Sequence, residues 1–133
     1  MKLEGIINVT GKTGLFKVVS RTKNSVIVES LLDNKRTPLY SNHQANMLDE
    51  IGIYTYEETK SLNEIFEIIA KKEDYKQTIS HKSLNNELIS YFREILEDYD
   101  EERVYISDIK KVIQWYNLLQ AKGLIKVEKN NKE

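Results

Sequence analysis

Near residue 58 the hydrophobic pattern of this chain changes its period. Before that point apolar residues alternate, with a period of about 2; after it they recur about every 3.6 residues. A strand sends alternate side chains to opposite faces, whereas a helix gathers every third and fourth one into a stripe. A chain that carries first one pattern and then the other is α+β, with its strands ahead of its helices.

In the front half, "LEGIINV" (3–9), "GLFKVVS" (14–20), "SVIVESL" (25–31), "RTPLY" (36–40) and "GIYTY" (52–56) read as strands. Phe16 and Val18 share one face of the second, with Leu15, Lys17 and Val19 on the other. In the third, Val26 and Val28 stand against Ile27, Glu29 and Leu31. Pro38, the only proline, suits an edge strand because it cannot donate to a ladder. The connectors "TGKT", "RTKN" and "LDNK" are short and rich in turn residues. "HQANMLDE" predicts one helical turn before the last strand. Five short strands so spaced predict a small SH3-like β-barrel over residues 1–58.

Residues 59–133 predict a three-helix region. "SLNEIFEIIAKK" opens with Ser61 and Glu64 at capping-box spacing and carries Leu62, Ile65, Phe66 and Ile69 on one stripe. "SLNNELISYFREIL" places Ser83 as N-cap, with Leu84, Leu88, Tyr91, Phe92 and Ile95 in line. "SDIKKVIQWYNLLQAKG" runs from Ser107 to a stop at Gly123, with Ile109, Val112, Ile113, Tyr116 and Leu119 as its stripe. Trp115 lies beside that stripe and reads as core, and "LIKV" (124–127) reads as a last short strand. "YEETKS" (56–61) is the expected linker.

Composition narrows the chemistry. With 20 Lys+Arg against 21 Asp+Glu, no bulk charge draws the chain to nucleic acid or membrane. The absence of cysteine removes disulfides, thiolate metal sites and a cysteine nucleophile. No apolar run approaches the roughly 18 residues that span a bilayer, and the start of the chain has no secretory pattern. A cytoplasmic protein is expected.

Four features of the sequence are candidate sites. "GIINVTGKTG" has five residues between Gly5 and Gly11-Lys12-Thr13, where a P-loop has four, and a strand follows it where a P-loop needs a helix. It therefore reads as a hairpin turn. His43 and His81 are lone histidines with no partner in local register and read as loop residues. "DYDEERVYISD" offers Asp98, Asp100 and Glu102 at the first three ligand positions of an EF-hand loop, but it has Arg103 for the glycine and Ile109 for the final Glu. It reads as a connector, with "RVYIS" extended and no metal. Its acids Glu97, Asp98, Asp100, Glu101 and Glu102 still form a negative surface suited to a basic partner.

The fourth stretch is the set of basic residues at 12–36. Lys12, Lys17, Arg21, Lys23, Lys35 and Arg36, with Tyr40 close behind, form a candidate binding surface that also fits single-stranded nucleic acid. No nucleophile–base pair, metal spacing or cofactor cradle is found. The expected function is a non-enzymatic binding or adaptor module with a protein partner. The alternative is an RNA- or DNA-binding regulator that uses the basic loops.

The segments "GKTGLFKVVSRTKNSVIVESLLDNKR", "HKSLNNEL" and "YDEERVYISDIKKVIQWYNLL" resemble a bacterial family of unknown function whose members share a β-rich front half and a helical back half. The resemblance implies that layout and brings no activity, substrate or catalytic residue. "LLQAKGLIKVE" is similar to the helix-to-wing junction of winged-helix domains, a pattern shared by any helix with a glycine cap leading into a strand.

Overall fold

The computed structural model describes residues 3–40 and 43–125. The chain forms two compact units, one spanning Leu3–Ile51 and the other running from Gly52 onward. The division therefore falls at 51/52 and not at 58/59. "GIYTY" pairs with residues that follow it in the chain, so it belongs to the second unit.

The first unit is a five-stranded antiparallel sheet. Its strands are β1 (Ile6–Val9), β2 (Phe16–Arg21), β3 (Val26–Ser30), β4 (Arg36–Leu39) and β5 (Ala45–Met47), in the order β4-β3-β2-β1-β5. The alternation read from the sequence sets the faces. Ile7, Val9, Phe16, Val28 and Leu39 form one apolar cluster, with Val18 and Val26 packed against it. Gly11 and Gly14 both take positive φ, +85° and +86°, in the β1–β2 connection. That is the backbone of a turn, and strand β2 follows it where a P-loop has a helix N-terminus. The predicted helical turn is only partly helical: Leu48–Glu50 is a 3-10 turn, while Ala45–Met47 pairs with β1 as the fifth strand.

The connection between the two edge strands requires this sheet to coil. β4 and β5 run in the same direction in the ladder order, joined by only five residues. In a flat sheet the end of β4 and the start of β5 would lie about 19 Å apart across the strands and roughly 20 Å along them. The His43 N–H bonds the Tyr40 carbonyl at 3.0 Å, which closes a turn within the link. The path from Leu39 to Ala45 can then span no more than about 18 Å. The register shift between Val18 and Ser20 adds local twist. Among the described residues no ladder joins β4 to β5, so the sheet is coiled but open along that seam.

The second unit begins with a hairpin, β6 (Gly52–Tyr54) against β7 (Thr59–Ser61). Buried Thr55 braces its turn: Oγ1 donates to the Glu58 carbonyl at 2.6 Å and accepts the Glu58 N–H at 2.9 Å. "YEETKS" is thus a turn and a strand, not a linker. Helices α1 (Leu62–Lys72), α2 (Asn85–Ile95) and α3 (Ile106–Ala121) follow. The Ser61–Glu64 capping box forms as read. The other two helices start elsewhere than expected: Leu84 and Tyr105 occupy the N-cap positions in place of Ser83 and Ser107. In each case a carboxylate three residues on, Glu87 or Asp108, accepts the N-cap N–H and sets the first turn. Leu84 is consequently 67% exposed and not part of the stripe, and "RVYIS" is a turn running into α3.

The remaining stripes are buried: Leu62, Ile65, Phe66 and Ile69 on α1, Leu88 and Phe92 on α2, and Ile109, Ile113, Tyr116 and Leu119 on α3. Trp115 is buried as well. Gly123, at φ +75°, ends α3. The Leu124 N–H bonds the Leu119 carbonyl and the Gly123 N–H bonds the Gln120 carbonyl, the paired bonds of a Schellman stop. The predicted strand at 124–127 shows no strand at Leu124 and Ile125, and its remainder lies outside the described residues. Among the described residues no helix is long and apolar enough to cross a membrane.

Candidate binding site

The seam between β4 and β5 opens onto a cleft of about 400 Å³ in the first unit. Its floor is the apolar face of the sheet: Ile7, Val18, Val26 and Leu39. Those side chains face inward because they hold alternate positions on their strands, and the coil of the sheet leaves part of that face uncovered. On one side stand Arg21, at the end of β2, and Lys23, in the β2–β3 turn. Thr22 holds that turn: its Oγ1 accepts the Ser25 N–H at 3.0 Å, and its own N–H bonds the Ser25 carbonyl at 2.8 Å. Tyr40, which follows β4, and His43 line the cleft as well, with Ala45 and Met47 of β5.

Tyr40 and His43 act as one piece. The His43 Nδ1 accepts the Tyr40 N–H at 2.9 Å, so the neutral ring carries its proton on Nε2. The two rings stack, with centroids 6.3 Å apart. Tyr40 remains 53% exposed, which presents a flat apolar surface at the rim. No acidic side chain is among the described lining residues, so the rim is basic and aromatic over an apolar floor.

The six basic residues read from the sequence do not make one surface. Arg21 and Lys23 reach the cleft with Tyr40. Lys12 and Lys35 lie in the β1–β2 and β3–β4 connections, at the opposite end of the meander. Lys17 and Arg36 flank Glu29 in a row across three strands, where Lys17 is paired with Glu29 and Glu29 with Arg36. The Arg36 Nε donates to Glu29 at 3.1 Å, so one acid sits between two bases. His43, read in the sequence as a loop residue near the basic loops, stands with Tyr40 at the rim. The only local signal for it is its spacing of three from Tyr40 in a turn.

The acidic residues belong to the second unit and are largely engaged there. Asp100 is buried: Oδ2 holds the Arg103 Nε at 2.8 Å and Oδ1 accepts the Glu102 N–H at 3.0 Å. The Arg103 bond, followed by the backbone bonds, keeps its carboxyl below the ordinary range. Glu101 takes the Arg93 guanidinium at 2.6 Å. The Asp98 carbonyl accepts the Tyr56 N–H, and the Asp100 N–H bonds the Tyr54 carbonyl, which lays this segment beside the β6 hairpin. Glu97, Asp98 and Glu102 are exposed. Among the described residues no three His, Cys, Asp or Glu side chains are grouped to hold a metal ion.

A second depression, of about 530 Å³, lies in the helical unit between Ile79 and Ser83 and the α2 residues Asn86, Glu87, Tyr91 and Glu94. Among its described lining residues none is basic, and Ile79 and Tyr91 are its apolar part.

Residues 51–119 match a protein family described as a domain of unknown function, DUF6852, and residues 3–48 match a second, DUF5606. The two matches part at the same place as the two compact units. A solution NMR structure of a protein from Bacteroides vulgatus, a structural genomics target, is 36% identical to the chain. The likeness covers 99% of each chain with a TM-score of 0.78. None of the curated proteins compared with the chain matches it.

Proposed function

The chain belongs to the DUF6852 family of unknown function, and we propose that it is a non-enzymatic binding module whose first unit takes up part of a partner protein in the cleft between β4 and β5. The coiled sheet is on this reading a small SH3-like barrel left open along one seam. The observation that carries the proposal is the cleft itself, an apolar floor with Arg21, Lys23, Tyr40 and His43 at its rim. Three of its polar groups serve the structure: Thr22 and Ser25 bond each other, and the His43 Nδ1 holds a backbone amide. That arrangement suits recognition better than proton transfer. A cysteine-free sequence suits the reducing cytoplasm as the place of action.

A protein partner is favoured over nucleic acid. Tracking a phosphate backbone needs a continuous basic groove, whereas the bases here divide between two ends of the meander, with Glu29 between Lys17 and Arg36. The test is fluorescence anisotropy with a labelled peptide of alternating valine and glutamate, and with mixed-sequence single-stranded RNA and DNA, each at two salt concentrations. The peptide is expected to bind, to lose affinity on Arg21→Glu with Lys23→Glu, and to keep it on Lys35→Glu with Arg36→Glu. Oligonucleotide binding that falls steeply with salt and is lost on the Lys35 and Arg36 reversal would establish the nucleic-acid reading instead.

A further inference from the structure

The two edges of the coiled sheet are not equivalent. On β4, the Ser30 N–H bonds the Lys35 carbonyl, and Val28 faces Thr37 and Val26 faces Leu39. By alternation Thr37 and Leu39 turn their backbone groups toward β3, and Pro38 turns its nitrogen toward the open side. That nitrogen carries no hydrogen, so the β4 edge offers no donor at its centre. β5 lacks such protection. The Thr10 N–H bonds the Gln44 carbonyl, so Gln44 and Asn46 face β1, whereas Ala45 and Met47 face the open side. The N–H groups of Ala45 and Met47 and the Ala45 carbonyl make no hydrogen bond to a described residue. All three residues of β5 are exposed.

The side chains add direction to this edge. Ala45 lies opposite Val9 and Met47 opposite Ile7, so both share the face of the apolar cluster and line the cleft. A strand laid beside β5 would point alternate side chains into the same cleft. Where such a strand leaves the cleft it would pass a rim that carries Arg21 and Lys23 and, among the described lining residues, no acid.

We propose that the cleft binds an extended acidic segment of a partner protein by strand addition to the free edge of β5, with alternate apolar side chains set on the floor of Ile7, Val18, Val26 and Leu39. The proposal rests on the binding-module reading above and specifies its mode. The backbone gives affinity through the Ala45 and Met47 amides, the cleft gives selectivity for alternate apolar residues, and the basic rim favours acidic residues in the same segment.

The probe is a capped peptide of about eight residues in which valine alternates with glutamate, long enough for one strand. Two further versions are N-methylated, one at every valine and the other at every glutamate. On binding, the Ala45 and Met47 amides should become protected from hydrogen exchange. One methylated version should lose at least about tenfold in affinity while the other keeps it, because only one row of a strand faces its neighbour. Saturable binding lost on Arg21→Glu with Lys23→Glu, but equal for both methylated peptides and without protection at Ala45 and Met47, would overturn strand addition and leave the cleft-binding reading intact. No saturable binding of the parent peptide would overturn both. Amides at Ala45 and Met47 already protected in the free protein, in proportion to its concentration, would mean that a second copy occupies the edge, and would also overturn the proposal.

Discussion

Replacing Asn117 with alanine tests what holds the long α1–α2 connection in place. The side chain grips two successive residues of that connection from α3. Its Oδ1 accepts the Thr78 N–H at 2.8 Å, and its Nδ2 donates to the Ile79 carbonyl at 3.0 Å and, more weakly, to the Thr78 carbonyl at 3.4 Å. Two well-formed bonds at about 1 kcal/mol each predict a loss of about 2 kcal/mol, rising to about 3 kcal/mol if the Thr78 N–H is left dry. For a unit of this size each kcal/mol lowers the melting midpoint by about 4–8 °C. Trp115 is the only tryptophan and is buried in α3, so its fluorescence follows the helical unit alone through urea or thermal unfolding. Lys111→Ala, at an exposed position on the same helix, is the control and should stay within about 0.5 kcal/mol. An Asn117→Ala midpoint within that same margin, at an unchanged m-value, would refute the reasoning and leave the connection held by its other bonds.

Three further outcomes follow from the same unit. Asp100 has a depressed pKa, so its contribution is complete above the ordinary value of 3.8 and is lost as the pH falls through the lower folded value; the stability difference between wild type and Asp100→Asn should shrink on acidification, as read by urea midpoints. Tyr116 is the opposite case. Burial pushes its phenol up to about 12, so its contribution is complete below 10 and is lost between 10 and about 12; Tyr116→Phe should lower stability at neutral pH, through the lost bond to the Lys76 carbonyl, and flatten the alkaline slope. Gly123→Ala forces a β-carbon into φ +75° and should destabilise the end of α3 by about 1–2 kcal/mol, measured by thermal unfolding on the Trp115 signal.

What was legible in the sequence is what depends on near neighbours. The stripe of α1 and its Ser61–Glu64 box need only contacts three and four residues apart, and both form. The inward faces of β2 and β3 follow from alternation alone. Errors begin where a distant partner decides. Ala45–Met47 looks helical by itself and becomes a strand because β1, far back in the chain, offers a free edge. Gly52–Tyr54 looks like the last strand of the first sheet but pairs with the segment read as a linker. Ser83 and Ser107 are good caps by type. The carboxylates of Glu87 and Asp108 instead take the N–H of the residue three positions earlier, Leu84 and Tyr105. The candidate surface misleads for the same reason. Six basic residues counted along the chain look like one patch, yet register sets Lys17 and Arg36 on either side of Glu29 and sends only Arg21 and Lys23 to the cleft. The partners of Asn117 lie 38 and 39 residues away, and nothing in its neighbourhood announces them.

In the first unit, the same two residues, Tyr40 and His43, shape both the fold and the site. The bond from His43 N–H to the Tyr40 carbonyl shortens the link between the edge strands and makes the sheet coil. The bond from Tyr40 N–H to His43 Nδ1 locks that turn and stacks the two rings at the mouth of the opening. A longer or looser link would let the sheet flatten, and the floor of Ile7, Val18, Val26 and Leu39 would become an open apolar face of the kind that invites aggregation. A ladder between β4 and β5 would close the seam and bury the floor. The observed turn is short enough to curl the sheet, and Pro38 denies the β4 edge a donor at its centre. The seam therefore stays open, with a protected edge on β4 and, among the described residues, an unpaired edge on β5, and both border the cleft.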